Sequence, residues 1–584
     1  MSNKVSLSVN KKASNRSSQP TTNAWRYYVV LAIVVLIYAG LLARSAYIQI
    51  IEPDMLKKQG DMRSMRVAAN TVQRGSIIDR NGDELAISVP VETVWADPKI
   101  IKDNNALTMK EHWQALADVL GQDVGKLTER VARQPTKRFV YLERKISPGI
   151  HLRKESKRFY PTGEISAHIV GFTNVDDKGI EGVERVYDQL LTGVGGSKRF
   201  RKDAKGRKIE ILSVEASQEA KDITLTIDQR IQAIAYKELK GAVQAFKATS
   251  GSAIVVDIHT GEILAMANSP SYNPNNRRNT AIHRFRNRAI TDIYEPGSTM
   301  KPLTALTALE FGSAKENTII DTSPGWMRLG GRRVNDPINR GKLSIEEILV
   351  HSSNMGTTKL ALSVPKNFLL DKFFDAGFAD STGTDLVGES SGMMHDRQRW
   401  SKFELATLSW GYGLAITPMQ LARFYSTLAN GGIKRELSIV KTNKENEGER
   451  IFSKENANAV TTMLETVVDE HVQKAKVAGY RVGGKTGTSF KAVAGGYGND
   501  YVGLFAGIAP ISDPKVVVVV VINEPGGDLY HGGEVAAPVF SRVMKGALRV
   551  LNIMPDANEK IAQSQLLIKD ANELSVDVTG ANDV

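Results

Sequence analysis

A run of seventeen residues without a charge, Tyr27–Ala43 (YYVVLAIVVLIYAGLLA), constrains the fold of this chain most. At about 1.5 Å per residue, a helix of this length is near the lower limit for crossing the apolar core of a bilayer. Residues 1–26 carry five basic residues and no acidic one, and Trp25, Tyr27 and Tyr28 lie where an interfacial aromatic belt would be. We therefore predict a cytoplasmic basic tail over 1–26, a transmembrane signal-anchor helix over 27–43, and an extracytoplasmic location for the rest.

Two further features concern the compartment. Ala43-Arg44-Ser45 faintly resembles a signal-peptide cleavage site, so a cleaved signal peptide is the alternative, although the apolar run is longer than a usual signal-peptide core. The sequence has no cysteine, which excludes disulfide bonds, thiolate catalysis and cysteine zinc sites. That composition suits an oxidising compartment outside the cytoplasm.

The charge pattern does not favour a nucleic-acid partner. The formal net charge is +12 over 584 residues, but the basic residues are scattered, and the densest patch is KRFRKDAKGRK at 198–208. Nucleic-acid binders usually concentrate such charge on one face. The nine histidines show no metal-ligand spacing such as HExxH. We predict no nucleic-acid partner, no metal and no cofactor.

The length suits about three or four domains, and the composition changes near residue 221. Residues 44–220 include RGSIIDRNGDELA (74–86), which predicts a turn between two short apolar strands, and a helical stretch near 106–133. Because no cluster of catalytic side chains occurs there, we predict a structural or partner-binding domain. Residues 554–584 are polar and net acidic, which predicts a polar C-terminal tail.

Residues 221–553 predict an antiparallel sheet packed between helices. A short strand near 223 precedes a helix that Asp228 opens, and GSAIVVDIHTGEILAMA (251–267) predicts a hairpin. A second hairpin is predicted over 501–525, and its valine run is apolar on both faces, which indicates a central strand. Strands at both ends with mainly helical sequence between them indicate an α/β (α+β) fold.

A serine and a lysine three residues apart occur five times, as Ser8/Lys11, Ser298/Lys301, Ser363/Lys366, Ser438/Lys441 and Ser512/Lys515. Only Ser298 opens a strong helix, EPGSTMKPLTALTALEFG. Because positions i and i+3 share a helix face, we expect Lys301 Nζ to reach Ser298 Oγ, with the serine N–H facing a developing oxyanion. Ser298 and Lys301 are therefore the candidate nucleophile and base of acyl transfer.

Ser352 and Asn354 lie in HSSNMGTTKLAL (351–362). Two residues apart in an extended or looped backbone, their side chains would face one way, and a hydroxyl with a carboxamide can relay a proton and hold an amide. The alternative is a loop or a helix cap, and Ser271-Tyr272-Asn273 shows the same pattern upstream. The Ser-x-Asn pattern supports a catalytic role only when it occurs together with the Ser298 segment and the segment at 482–490.

The third segment is VGGKTGTSF (482–490). On a strand edge, Lys485, Thr486 and Thr488 would offer a cation and hydroxyls to a carboxylate, and Gly487 would let a substrate backbone approach closely. Residues 479–486 also fit the phosphate-binding pattern G-x-x-x-x-G-K-[ST], which needs a buried strand before it and a helix after it. The flanking sequence is polar before and glycine-rich after, so a nucleotide-binding loop is disfavoured.

Ser298-Thr-Met-Lys301, Ser352-Ser-Asn354 and Lys485-Thr-Gly-Thr488 resemble, in order, the three active-site motifs of penicillin-binding proteins and serine β-lactamases. Ser352 follows Ser298 by 54 residues and Lys485 follows Ser352 by 133, as in the transpeptidase members. RGSIIDRNG and the KRFYP segment are similar to the pedestal of class B penicillin-binding proteins. Residues 409–432 and 536–553 look like the septal, cell-division type. The resemblance implies a pedestal domain over 44–220 and a transpeptidase domain over 221–553.

The resemblance also implies roles for these residues. Ser298 would attack the penultimate D-alanine carbonyl of a pentapeptide stem, and Lys301 would accept its proton, with a pKa lowered by burial and by Lys485. Ser352 would pass a proton to the leaving amine and Asn354 would hold the stem. The N–H groups of Ser298 and Thr488 would form an oxyanion hole. Lys485, Thr486 and Thr488, with Gly487 between them, would bind the terminal carboxylate.

Three interpretations remain open from the residues. The first is a septal D,D-transpeptidase inhibited by β-lactams, placed in the inner membrane with a cytoplasmic N-terminus and a periplasmic catalytic domain. The partners that the resemblance implies for it are stem peptides of glycan strands derived from lipid II, a membrane-embedded septal glycan polymerase and other division proteins. The second is an elongation-type transpeptidase, or a hydrolase with the same acyl-enzyme, such as a D,D-carboxypeptidase or a β-lactamase. The third is a division scaffold that kept the fold.

Overall fold

The computed structural model describes residues 24–51, 53–69, 73–96, 98–133, 135, 140–143, 151–193, 197–203, 208–214, 219–395, 397, 399–442, 446–493 and 496–557. The chain divides into two compact units, one from residues 1–71 and 195–218 and the other from residues 72–194 and 219–584. Most of the predicted tail at 1–26, and all but four residues of the predicted tail at 554–584, lie outside the described residues.

Nineteen α-helices occur in the described part of the chain. In order they are α1 (Ala24–Ala46), α2 (Pro53–Ser64), α3 (Pro98–Asp103), α4 (Lys110–Leu120), α5 (Val124–Ala132), α6 (Ala167–Val170), α7 (Gly182–Val186), α8 (Asp188–Thr192), α9 (Gln229–Ala245), α10 (Arg288–Thr291), α11 (Lys301–Phe311), α12 (Ile345–Val350), α13 (Asn354–Leu362), α14 (Lys366–Asp375), α15 (Lys402–Ser409), α16 (Pro418–Ala429), α17 (Lys454–Thr466), α18 (Gly532–Val535) and α19 (Ala537–Val550). Turns of 3₁₀ helix lie at Ala106–Thr108, Ile282–Arg284, Gly297–Met300 and Gln473–Ala475, and turns of π-helix at Tyr47–Ile51 and Val467–His471.

The described part of the chain also contains twenty-three β-strands. In order they are β1 (Met65–Ala69), β2 (Ile77–Ile78), β3 (Glu84–Ala96), β4 (Val140–Glu143), β5 (His151–Phe159), β6 (Phe172–Thr173), β7 (Gly179–Glu181), β8 (Ser197–Lys202), β9 (Lys208–Val214), β10 (Ile223–Thr224), β11 (Ser250–Asp257), β12 (Ile263–Ser269), β13 (Ile319–Asp321), β14 (Trp326–Leu329), β15 (Arg332–Asn335), β16 (Lys342–Ser344), β17 (Met393–Met394), β18 (Leu414–Ala415), β19 (Ile433–Lys434), β20 (Glu449–Arg450), β21 (Gly483–Val493), β22 (Gly496–Ala509) and β23 (Val516–Asn523).

The smaller unit contains the apolar run and a three-stranded sheet. The helix is longer than the predicted span at 27–43, since Ala24–Ile50 is helical with a mean hydropathy of 2.3 and no buried residue. A helix of this length and composition fits a single-pass membrane anchor. The sheet pairs in the antiparallel order β1-β8-β9, so the described residues of the basic patch at 198–208 lie mainly on strands.

Within the larger unit, residues 72–194 help to cap the first helix of the C-terminal part. Asp79–Gly82 forms the turn between β2 and β3, as the sequence predicts. Asp79 Oδ2 accepts a hydrogen bond of 3.0 Å from the backbone N–H of Gln229, and Asn81 Nδ2 donates to Asp228 Oδ2 at 3.1 Å. Asp228 is the N-cap residue of α9, as predicted, and helix N-termini need such acceptors. The turn and α9 therefore stabilise each other.

A buried ion-pair cluster also fixes the fold of residues 72–194. Glu184 accepts from Arg74 Nε at 2.7 Å with one carboxylate oxygen and from Arg158 Nε at 2.6 Å with the other. The three side chains are at most 2% exposed. Arg74 Nη1 also contacts Asp188 Oδ1 at 2.7 Å. Because each buried charge has lost its hydration, the members of the cluster depend on one another.

The predicted antiparallel sheet between helices is confirmed in the C-terminal part of the larger unit. Its order is β12-β11-β23-β22-β21, and the valine strand β23 is central and buried along its whole length. Helices α9 and α19 pack against the sheet, and α16 packs against β11, β22 and β23 from the other face. Both predicted hairpins, β11-β12 and β22-β23, are present. The edge strand β21 lies against the 3₁₀ turn Gly297–Met300, and this contact builds the site.

Candidate active site

Ser298 lies on the tight 3₁₀ turn Gly297–Met300, which leads directly into α11. The prediction that the α-helix opens at Ser298 is wrong by one turn. Pro302 has no N–H to donate to the Ser298 carbonyl, so the bond that an α-helix requires there is missing, and the Lys301 N–H bonds that carbonyl instead. Gly297 has a φ of 55°, a left-handed backbone that favours glycine and turns Ser298 toward β21.

Lys301 lies beneath Ser298 and is 1% exposed. Its Nζ donates to Ser352 O at 2.5 Å, to Ser352 Oγ at 3.0 Å and to Asn354 Oδ1 at 2.8 Å. Ser298 Oγ is not among the hydrogen-bond partners of Lys301 Nζ, so the two groups are joined through Ser352 rather than by the direct contact that we expected. Ser352 Oγ accepts from Lys301 Nζ and donates to Ser298 Oγ at 3.0 Å.

Ser352 and Asn354 occupy the tight connection between α12 and α13. Ser352 has a φ of 54°, and Asn354 is the first residue of α13. Their side chains face one way, as we expected, and both contact Lys301. A left-handed residue followed by a helix start brings this about, which fits the looped backbone of our expectation rather than the extended one. Ser353, between them, is the N-cap residue of α13, and its Oγ accepts from the Gly356 N–H.

Asp336 joins this group although sequence reasoning missed it. Its Oδ1 accepts from the backbone N–H of Asn354 at 2.6 Å and of Met355 at 3.0 Å, and its Oδ2 accepts from Ser353 Oγ at 2.5 Å. Asp336 follows the β14-β15 hairpin, well before the motif in sequence. No short spacing marks it, so only the folded chain shows that it caps α13.

Lys485, Thr486, Gly487 and Thr488 lie on the edge strand β21, as predicted. Alternation along a strand places Lys485 and Gly487 on one face and Thr486 and Thr488 on the other. Lys485 is 1% exposed, whereas both threonines are half-buried. A Cβ on Gly487 would lie 2.7 Å from Pro296 O, so glycine allows β21 to approach the Ser298 turn. Thr488 Oγ1 accepts from the Gly532 N–H at 3.0 Å.

The two buried lysines have lowered pKa values. Burial first, and then the positive charge of Lys485, hold the pKa of Lys301 well below its usual range, while Asp336 opposes this effect. Burial lowers the pKa of Lys485 to about 8. Each ammonium is destabilised because the low-dielectric site solvates charge poorly. Lys301 is therefore neutral at a lower pH than an ordinary lysine and is suited to take a proton, while Lys485, with the smaller shift, keeps more of its charge.

The competing candidates have other contacts. Ser271 Oγ donates to Glu164 O, Ser363 Oγ to Leu360 O, Ser438 Oγ to Val440 O and Ser512 Oγ to Asp556 Oδ2. Ser8 lies outside the described residues. Residues 479–486 lead into β21 rather than into a helix, so the phosphate-loop alternative is wrong. No group of three histidine, aspartate or glutamate side chains among the described residues is placed to hold a metal.

Comparison with known proteins gives two family matches. The penicillin binding protein transpeptidase domain matches residues 251–545, and the penicillin-binding protein dimerisation domain matches residues 69–225. The peptidoglycan D,D-transpeptidase FtsI of Escherichia coli strain K12 is 46% identical over 549 residues, which cover 91% of this chain and 93% of that protein.

Solved structures of penicillin-binding proteins are also similar to this chain. The transpeptidase domain of Burkholderia pseudomallei penicillin-binding protein 3 is 38% identical with a TM-score of 0.53, covering 57% of this chain and 97% of that one. Penicillin-binding protein 3 of Mycobacterium tuberculosis, in complex with ampicillin, is 25% identical with a TM-score of 0.65 and covers 84% of this chain and 98% of that one.

Proposed function

The chain belongs to the class B penicillin-binding proteins, and from this premise we propose that it cross-links peptidoglycan at the division septum as a serine-type D,D-transpeptidase. The observation that supports the residue assignment is the hydrogen-bonded row from Ser298 Oγ through Ser352 Oγ to Lys301 Nζ. A nucleophile, a relay and a base in this order are what acyl transfer by a serine requires.

In the first half-reaction, Ser298 Oγ attacks the carbonyl carbon of the penultimate D-alanine of a stem peptide. Its proton passes through Ser352 Oγ to the neutral amine of Lys301. The C–N bond to the terminal D-alanine then breaks, and the proton returns through Ser352 to the leaving nitrogen. In the second half-reaction, the amine of a neighbouring stem attacks the ester carbonyl and its proton passes through Ser352 Oγ to Lys301. The C–O bond to Ser298 then breaks, the proton returns through Ser352 to Ser298 Oγ, and the new amide is released.

The strand β21 and Asn354 position the substrate in this scheme. The N–H groups of Ser298 and Thr488 stabilise the oxyanion, and preorganised donors of this kind contribute strongly to acyl transfer. Thr486 and Thr488, on one face of β21, bind the terminal carboxylate, while the charge of Lys485 on the other face favours an anion nearby. The amide of Asn354 holds the stem and also orients Lys301.

A β-lactam should acylate Ser298 because its strained amide mimics the D-alanyl bond, and the ampicillin complex of the Mycobacterium tuberculosis relative supports this expectation. We expect one penicilloyl group per chain, attached to the peptide that contains Ser298. Peptide mapping by mass spectrometry after treatment with penicillin G measures this. A penicilloyl group on any other residue would contradict the assignment, and rapid release of the group would favour a hydrolase.

We place the chain in the inner membrane with residues 1–26 in the cytoplasm and the catalytic part in the periplasm, and the basic residues before α1 support this orientation.

We also infer that α1 docks a membrane-embedded septal glycan polymerase. Replacing 27–43 with an unrelated apolar span should preserve penicillin labelling but lower co-purification of the polymerase several-fold.

The membrane orientation has its own test. Because the chain lacks cysteine, single cysteines introduced before α1 and after β23 report the orientation. Labelling of the cysteine before α1 from the periplasmic side would overturn the proposed orientation.

A further inference from the structure

Asp336 uses both carboxylate oxygens at the start of α13. Three donors converge on it, namely the backbone N–H groups of Asn354 and Met355 and the hydroxyl of Ser353. The first N–H groups of a helix have no partner within the helix, and the helix dipole adds a partial positive charge there. Asp336 therefore fixes the position of the first turn of α13 relative to the β14-β15 hairpin.

Ser352 is the residue that this arrangement places under constraint. Its φ of 54° is one that a serine adopts rarely, so surrounding contacts must maintain it. On the α12 side, the Ser352 N–H bonds Leu349 O at 3.2 Å and the Ser353 N–H bonds Ile348 O at 2.9 Å. On the α13 side, Ser353 Oγ accepts from the Gly356 N–H within the helix, and Asp336 adds the contacts from outside the helix. In this arrangement Ser352 O, Ser352 Oγ and Asn354 Oδ1 all face Lys301 Nζ.

We propose that Asp336 is a positioning residue, which clamps the start of α13 so that Ser352 and Asn354 connect the nucleophile to Lys301. The proposal rests on the function proposed above. Asp336 does not touch Ser298 or Lys301 through a hydrogen bond, so it acts through Ser353, Asn354 and Met355. Because misplacement of a reacting group by about 1 Å can lower a rate about 100-fold, the clamp should matter for acylation.

The clamp also has an electrostatic signature. The charged groups that act on Lys301 are Lys485 on β21, which lowers the pKa of Lys301 further than burial alone, and Asp336, which raises it. Lys301 works as a base when neutral, so the acylation rate rises as pH rises through the pKa of Lys301. Removing the negative charge of Asp336 lowers that pKa, and the acid limb of the rate profile must move to lower pH.

The experiment measures the rate of labelling by a fluorescent penicillin, as a function of pH, in the full chain solubilised in detergent. Asp336→Ala, which removes all three hydrogen bonds, should lower the plateau rate about 100-fold. Asp336→Asn keeps most of the acceptor geometry and removes the charge. It should lower the plateau about tenfold and move the acid limb to lower pH. Ser353→Ala keeps the charge, so it should lower the plateau about tenfold without moving the limb.

Asp321→Asn is the control, because the Asp321 carboxylate accepts from the Ser323 N–H at 2.8 Å and acts on α13 only through the charge of the exposed end of Lys359, away from Ser352 and Asn354 in sequence. It should leave the profile unchanged. If Asp336→Ala does not fold, as judged by thermal unfolding, Asp336→Asn and Ser353→Ala carry the test. A wild-type plateau in the folded Asp336 variants, or an Asp336→Asn profile lowered without movement of the acid limb, overturns the proposal. Labelling of Ser298→Ala would instead overturn the proposed function.

Discussion

Lys301→Ala is expected to lower the rate of acylation by a β-lactam at least about 1,000-fold, because it removes the proposed base at the end of the Ser298–Ser352 row. The variant should stay folded. It leaves three acceptors without their donor, at about 1–3 kcal/mol for each one that stays unsatisfied, and it also removes a buried amine, so the net cost should stay within the about 5–15 kcal/mol stability of an ordinary domain. Labelling with a fluorescent penicillin gives the rate, and thermal unfolding checks the fold.

The wild-type rate should follow a bell-shaped pH profile. It rises as Lys301 loses its proton, at a pH well below the ordinary lysine range, and falls as Lys485 loses its charge at about pH 8. Lys485→Arg should move the alkaline limb upward, since a guanidinium stays charged. Lys441→Ala, from another Ser-x-x-Lys pair, is the control and should leave the rate unchanged. A Lys301→Ala rate within tenfold of wild type would exclude the base role.

Glu184→Ala is expected to destabilise the protein by about 3–5 kcal/mol, because it leaves the guanidinium groups of Arg74 and Arg158 buried without their shared carboxylate. Arg74 keeps Asp188 as a charged partner, whereas the guanidinium of Arg158 keeps a hydrogen bond to the hydroxyl of Ser88 and no carboxylate among the described residues. The loss should appear as a lower midpoint of thermal or urea unfolding. Penicillin labelling at low temperature should persist, since the site lies on other elements.

Glu129→Ala provides the matched control for this prediction. Glu129 pairs with Arg133 on one helical turn, and the two side chains are 58% and 72% exposed. An exposed pair of this kind contributes about 0.5 kcal/mol or less. Equal effects of the two substitutions would show that the buried cluster does not stabilise the fold as we infer.

The sequence predicted most of the central sheet because its signals are local. The valine run of β23, the two hairpins and the Asp228 cap each follow from residues close in the chain. The anchor was predicted from composition, and the helix exceeds it at both ends because Ala24–Arg26 and Arg44–Ala46 continue the helical backbone without being strongly apolar. Helix propensity therefore determines where the helix ends, whereas hydropathy determines where the apolar run ends.

The geometry of the site was less predictable. Helical spacing placed Lys301 against Ser298, but Pro302 changes the local helix type, and the connection before α13 supplies stronger acceptors. Asp336 reaches the site through tertiary packing, which no spacing reports. Strand alternation alone places Lys485 on the opposite face of β21 from Thr486 and Thr488. The sequence therefore contained this arrangement, although we predicted one carboxylate-binding group for the whole motif.

The edge position of β21 has a consequence for resistance. A sheet margin presents main-chain donors and acceptors, and these are the same for every amino acid except proline. An inhibitor that binds the main chain of this edge strand cannot lose those hydrogen bonds through side-chain substitutions alone. A resistant variant has to displace the strand itself, and the displacement also weakens binding of the natural peptide. Escape is therefore coupled to a cost in wall synthesis.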